Sequence, residues 1–206
     1  MQIATYLRFA LSWIHVVNAH ISSRDATDWA SLHCPEDSSS VLPTPTYGYT
    51  SAVFTVCTEK LINASAELIY NTIIDFRAYP LWNSFVVDVN LPGNVTETPE
   101  DVYIGMPMTF TTTGLIPLIN TTSDETVTVL DSRTDSGYSL AAWEGFGFSE
   151  HPNILVDQGG GVTRYLSYET YYYALLATPV LALRPALQDQ FEKQGQDLLT
   201  YVHSLV

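Results

Sequence analysis

The stretch from Thr50 to Val206 ends in one long run of helical period, and that run limits the possible folds more than any other feature. Up to Tyr173 the apolar and β-branched residues come mostly in short runs bounded by turn signals. Beyond it, Val180, Leu183, Leu187, Phe191, Leu198, Val202 and Leu205 recur at three- and four-residue spacing, the stripe of a long amphipathic helix. Asp189, Glu192, Lys193 and Asp197 fall mostly on the opposite side. Pro185 suits the first turn of a helix better than its middle, so a break is expected just before it. Gly195 lies on the stripe, where a glycine costs about 1 kcal/mol against alanine; it reads as room for a ligand or for a close backbone.

The short runs read as strands over 51–62, 85–91, 108–113, 125–132, 138–143, 154–157 and 162–173, with a turn at Pro92-Gly93. Ser65 caps a short helix over 66–75, with Leu68, Ile69, Ile73 and Phe76 at helical spacing. The run Asp157-Gln158-Gly159-Gly160-Gly161 lacks the Gly-Lys-Ser/Thr ending of a phosphate loop and reads as a hairpin turn. Strand, short helix, antiparallel strands and one long helix make an α+β chain. A curved sheet covered by that helix satisfies the order, and incomplete closure leaves a cavity between them.

Residues 1–49 read differently. In 1–19 Arg8 is the only charged side chain, an apolar run covers 9–17, and Val17-Asn18-Ala19 suits a signal peptidase. This predicts a secretory signal cleaved after Ala19; His15 interrupts the run, and an amphipathic N-terminal helix is the alternative. Residues 20–49 are Ser/Pro-rich with few large apolar side chains and read as an extended arm, leaving 50–206 as the domain. Export would suit two other features. Asn63, Asn94 and Asn120 head glycosylation tripeptides, and the two cysteines, Cys34 and Cys57, read either as a disulfide worth roughly 3 kcal/mol or as two free buried thiols. A formal charge of −14 argues against nucleic acid and anionic membranes as partners, and no later segment is apolar enough for stable membrane insertion. Protein partners are not legible.

The run Asn63-Ala64-Ser65-Ala66-Glu67, followed by Asp75-Phe76-Arg77-Ala78-Tyr79-Pro80-Leu81-Trp82-Asn83-Ser84-Phe85, resembles the start of the polyketide cyclase/dehydrase group of the START-like (SRPBCC) superfamily. Gly105, Trp143, His151, Gly160-Gly161-Val162-Thr163-Arg164 and Glu169 follow in the order of that group's later strands. The resemblance implies a helix-grip fold: about seven antiparallel strands, two short helices after the first, and a long C-terminal helix over a hydrophobic tunnel. It also implies a hydrophobic small-molecule ligand. The activity could be cyclisation or dehydration of a polyketide-like substrate, carriage of a lipid, sterol or aromatic metabolite, or an allergen-like or effector role with an incidental cavity.

No strong catalytic signature accompanies this. The five histidines lack metal-ligand spacing, there is no nucleophile elbow, and the expectation is chemistry without metal or organic cofactor. Strand alternation puts Thr163, Tyr165, Ser167, Glu169 and Tyr171 on one face. If that face meets the cavity, the Glu169 carboxylate is desolvated and its pKa raised, which suits proton transfer; the alternative is a surface pair with Arg164 or Arg184. His151 and Glu144 flank a loop and complete the candidate catalytic set, and Arg77 and Tyr79 are placed near the mouth. Candidate ligand contacts are Tyr79, Trp82, Phe85, Tyr103, Phe110, Trp143, Tyr165, Tyr171, Leu187, Phe191 and Gly195. Trp82, Phe85 and Trp143 are equally at home in a core.

Overall fold

The computed structural model describes residues 27–133 and 135–206. The candidate signal over 1–19 lies outside them. Seven antiparallel strands form one curled sheet in the order β1-β7-β6-β5-β4-β3-β2. They are β1 (Ala52–Ile62), β2 (Val86–Asn90), β3 (Pro107–Ile116), β4 (Ile119–Asp131), β5 (Ser139–Gly145), β6 (Ser149–Asp157) and β7 (Thr163–Tyr172). Between β1 and β2 come α1 (Ala66–Ile74), a 3-10 turn over Phe76–Ala78, and the single turn α2 (Tyr79–Trp82). After β7 come α3 (Ala174–Leu181) and α4 (Arg184–His203). This is the helix-grip architecture.

Local chemistry explains the element ends. The Ser65 hydroxyl accepts the Leu68 N–H at 3.2 Å and caps α1. Pro185 lies in the first turn of α4, where its missing N–H is no loss. The C-terminal stripe is two helices, α3 holding Pro179 and α4 starting at Arg184. Asp157 accepts the Gly159 N–H at 2.8 Å in the β6–β7 turn, where Gly159, Gly160 and Gly161 all take positive φ.

Two strands run longer than their composition suggests. β4 begins at Ile119 rather than Glu125, because the polar stretch Thr121 to Asp124 pairs with β3 through its backbone. β6 begins at Ser149 rather than Ile154, with Ser149, Glu150, His151 and Asn153 all buried. Hydropathy cannot find a strand whose polar side chains are buried with partners.

The Phe-x-x-Tyr-Pro-x-Trp-Asn-x-Phe run now has a physical reason. Phe76 meets Trp143 edge-on at 5.5 Å and lies 6.1 Å from Phe110; Tyr79 lies 6.0 Å from Phe110. The Asn83 side-chain oxygen accepts the N–H groups of Phe85 and Val86 at 3.0 and 2.8 Å and turns the chain into β2. The motif packs the short helices onto the concave face of the sheet.

α4 covers the rest of that face and also the free edge of β1. Leu187, Phe191, Leu198 and Val202 are buried against the sheet. Gln188 bonds the backbone of Cys57 twice, accepting its N–H at 3.0 Å and donating to its carbonyl at 2.7 Å. This satisfies an edge strand that would otherwise be open to pairing. Gly195 belongs to this contact: a Cβ there would lie 2.7 Å from Thr58 Oγ1.

The opposite face is covered by residues 27–49. After a 3-10 turn at Trp29–Ser31 they run across the sheet and bury Leu42 with Cys57, Leu140, Ile154, Leu166 and Tyr168. Cys34 and Cys57 form a disulfide, with Cα atoms 5.7 Å apart. Arg164, 6% exposed, donates to the carbonyls of Leu32 and Ala30 and to Glu59. Glu150, fully buried, accepts from Thr46 N–H and from the Thr46 and Thr128 hydroxyls at 2.7–2.9 Å. No helix among the described residues is long and apolar enough to cross a membrane.

Replacing Gly195 by alanine drives α4 away from β1. The expected loss is about 1–3 kcal/mol in urea unfolding. Adding Thr58→Ala removes the atoms that the new methyl meets, so the double variant regains part of that loss, a coupling of about 1 kcal/mol in the cycle.

Candidate functional site

Between α4 and the concave face lies a cavity of about 90 Å³. Phe85, Phe110, Trp143, Leu187 and Phe191 give it apolar walls. Glu125, His151, Glu169, Tyr171 and Gln194 bring polar groups to it. Leu115, Thr121, Thr122, Ser123 and Phe146 form its exposed end, where Phe146 is 58% accessible.

The polar groups come from adjacent rows of the sheet. Glu125 on β4 pairs in register with Gly145 on β5, Gly145 with Ser149 on β6, and Ser149 with Tyr171 on β7. A Cβ on Gly145 would fall 2.7 Å from Glu125 Oε2, so the glycine is the seat of the Glu125 carboxyl. One row along, Val127 pairs with Trp143 and Trp143 with His151. Glu169 lies two residues before Tyr171, whose hydroxyl donates to Glu169 Oε2 at 2.8 Å. Phe54 stacks on the Tyr171 ring at 4.5 Å and fixes it.

Burial controls the protonation of these groups. It holds the Glu125 carboxyl well above the usual carboxylate range, and the nearby Glu169 charge raises it further. Burial also raises Glu169, while hydroxyl donation from Ser149 and Tyr171 opposes that rise. Burial keeps the Tyr171 phenol protonated, with the Glu169 charge adding to the effect. His151 is pushed down to about 3 by burial alone and is therefore a neutral imidazole. Its Nε2 lies 2.7 Å from Ser167 Oγ, and its ring is packed between Trp143 and Phe191 at 4.9 and 4.8 Å. The site at neutral pH is thus a pair of carboxyls with a raised first ionisation, a phenol donor and an uncharged imidazole.

Of the residues singled out in the sequence, Phe85, Phe110, Trp143, His151, Glu169, Tyr171, Leu187 and Phe191 line this space. The others lie elsewhere. Glu144 sits between the inward-facing Trp143 and Gly145, so alternation turns it to the outer face, where it accepts the Tyr47 hydroxyl at 2.7 Å. Tyr79 is a core residue whose hydroxyl donates to the Ile73 carbonyl at 2.8 Å. Trp82 stacks on Tyr201 of α4 at 6.2 Å. Tyr165 donates to Asn153 Oδ1 at 2.9 Å, further along β7. Tyr103 is 41% exposed on the loop before β3. Gly195 faces β1. Arg77 ties the loop after β2 through the Val95 carbonyl. Glu169 does not pair with Arg164, which lies on the other face with Glu59.

Glu125 and Gln194 were not singled out in the sequence. Glu125 stands two residues before Val127, on the apolar side of its strand. Gln194 falls three residues after Phe191 and four before Leu198, on the stripe. A polar residue in an apolar register position was the available signal. Asn63, Asn94 and Asn120 are all exposed.

The buried imidazole has a measurable consequence. The folded protein keeps His151 neutral, while the unfolded chain protonates it below 6.5. Its contribution to stability is whole above 6.5 and is lost as the pH falls towards 3, by at most about 1.4 kcal/mol per pH unit. Urea unfolding at stepped pH should show that slope reduced in His151→Gln. Glu125 acts with the opposite sign. Its raised folded value makes ionisation costlier in the folded state, so Glu125→Gln should gain relative stability as the pH rises above 4.5.

The fold is shared with solved structures of low sequence identity. One is a START superfamily protein from Mycobacterium smegmatis, 17% identical over 74% of this chain and 99% of that one, TM-score 0.53. A hypothetical protein from Helicobacter pylori is 13% identical over 82% of this chain and 99% of that one, TM-score 0.60. Norcoclaurine synthase from Thalictrum flavum, in complex with dopamine and hydroxybenzaldehyde, is 15% identical over 75% of this chain and 89% of that one, TM-score 0.51. No family model and no curated protein matches the sequence. These likenesses establish a START-like, helix-grip fold.

Proposed function

We propose that the protein binds a hydrophobic small molecule in the cavity under α4 and catalyses proton transfer on it, in the manner of a polyketide cyclase-like tailoring enzyme. The observation that carries this is the placement of two carboxyls, Glu125 and Glu169, in one apolar, ring-lined space. The charge of one opposes ionisation of the other, and their surroundings divide the roles. Glu169 receives the Tyr171 hydroxyl, which favours its charged form and makes it the base. Glu125, the more strongly raised, keeps the proton and is the acid.

In a cyclisation, Glu169 removes a proton from a carbon beside a carbonyl. The resulting enolate attacks a second carbonyl of the same chain, and the new alkoxide takes a proton from Glu125. His151, neutral and bonded to Ser167, serves as a fixed dipole rather than a proton carrier. The ring walls hold the chain in a reactive shape, the larger part of the rate gain. The carrier reading shares the cavity and dispenses with these steps.

Native mass spectrometry of protein from its own host should show a bound apolar mass. Leu115→Trp, at the partly exposed end of the cavity, should remove it without unfolding the domain. Incubated with the recovered ligand or its precursor, the native protein should change it, and Glu169→Gln should bind it but lose turnover by about 100-fold or more. Recovery of an unchanged ligand in every case would establish the carrier instead.

We propose further that the protein is secreted. The Cys34–Cys57 disulfide and the exposure of Asn63, Asn94 and Asn120 support that reading. Protein from the host's culture medium should begin near His20 and lose mass on enzymatic removal of N-glycans; recovery of the whole chain, unglycosylated and inside the cell, would contradict it.

A further inference from the structure

The cavity gathers acidic groups without a basic partner. Glu125 and Glu169 both line it, and no lysine or arginine among the described residues does. Neither carboxylate is in a salt bridge among the described residues. Gln194, only 3% exposed, also lines it, and its buried amide oxygen has no hydrogen-bond partner among the described residues. A buried amide left unpaired costs about 1–3 kcal/mol unless a ligand meets it.

A neighbouring groove is acidic as well. It measures about 590 Å³ and shares two wall residues, Glu125 and Phe146, with the cavity. Asp124 and Glu144 also line that groove, and no lysine, arginine or histidine among the described residues does. On a chain with a formal charge of −14, such a cleft draws cations and repels anions.

We propose that the ligand of this cavity carries a protonated amine on a small hydrophobic body, the ammonium being held by Glu125 and Glu169 with Gln194 as a third acceptor. The inference rests on reading the cavity as the ligand site and names the chemistry of its ligand. An ammonium has three donors and no acceptor, which matches two carboxylates and an amide oxygen. A neutral alcohol offers one donor and leaves the carboxyl pair uncompensated. The body packs on Phe110, Trp143 and Phe191; about 90 Å³ is less than the roughly 150 Å³ that holds benzene, so even a single ring needs the exposed end at Leu115 and Phe146 to yield.

Binding has a proton balance. In the free protein Glu125 keeps its proton. A bound ammonium replaces that proton as the partner of the Glu125 charge, and the proton leaves to solvent, so with an amine bound the ammonium and not Glu125 is the acid of the site. Glu169, with Tyr171, is left to move protons on the ligand. The groups facing Glu125 are Glu169 and Tyr171 from β7 and His151 from β6, with Asp124 and Glu144 beside it on β4 and β5. α4 contributes only the neutral Leu187, Phe191 and Gln194. Affinity for the amine therefore rises with pH until the carboxyl pair is fully ionised.

Calorimetry on the full chain with benzylamine, benzyl alcohol and toluene tests this. Benzylamine should bind about 10- to 100-fold more tightly than benzyl alcohol at pH 7. That preference should disappear in Glu125→Gln, which should still bind toluene. In the native protein, benzylamine affinity should climb between pH 5 and pH 8 while that of benzyl alcohol stays level. This second measurement holds even if the variant does not fold. Equal affinities for benzylamine and benzyl alcohol, or a level pH profile for the amine, would overturn the ammonium inference and leave the cavity reading standing. Failure of all three probes to bind would overturn both.

Discussion

The structure depends on β7 being buried on both faces. It is hydrogen-bonded to β1 on one side and β6 on the other, and nearly every residue from Thr163 to Tyr172 is inaccessible. Half of its side chains are polar, so each face has to supply partners. Inward, Tyr165, Ser167, Glu169 and Tyr171 find Asn153, His151 and one another. Outward, Arg164, Tyr168, Thr170 and Tyr172 find the carbonyls and hydroxyls of residues 30–48. The N-terminal segment is thus structurally necessary. Without it, Arg164 and Glu150 would lose partners in a face that has no other cover.

The same strand explains why α4 has to lie where it does. β1 pairs only with β7, so its second edge is free, and α4 caps it through Gln188 on Cys57 while burying Phe191 over the sheet. One helix serves an edge and a face at once. Gly195 permits this, because any side chain there would strike Thr58. The disulfide, the arm and α4 all meet β1 near Cys57, which ties the two coverings of the sheet to one strand.

Period and pattern made the architecture legible. The stripe of α4, the break at Pro185 and the alternation of β7 are properties of spacing, and spacing survives folding. The aromatic run before β2 was legible as a family resemblance, and its packing on Trp143 and Phe110 shows why those residues keep company. The arm's docking was not legible, since its bonds are made by backbone carbonyls to polar side chains of distant strands, and composition carries no trace of them. The candidate site was half legible. Glu169 announced itself as an acid on a dense strand. Glu125 stood at the very start of an expected strand, directly after a polar, acidic stretch, and its seat at Gly145 is a relation between two strands that only the register reveals. Glu144 was misleading for the mirror-image reason: one step along a strand reverses the face.

The cavity divides into a part that is fixed and a part that can yield. Glu125, Ser149 and Tyr171 stand in one hydrogen-bonded row, and His151 is packed between two rings, so the polar floor has little freedom. The other end is built from the β3–β4 tip and the β5–β6 turn. Leu118 and Ile119 at that tip are exposed, as is Phe146. Such segments open at low cost, because few buried contacts hold them. A cavity of about 90 Å³ is well below the roughly 300–1,000 Å³ of ordinary ligand sites, so a ligand of one ring or more has to be accommodated at this end. Chemical selection and size selection are therefore separable here: the carboxyl row decides what head group enters, and the apolar rim decides how large a body may follow it.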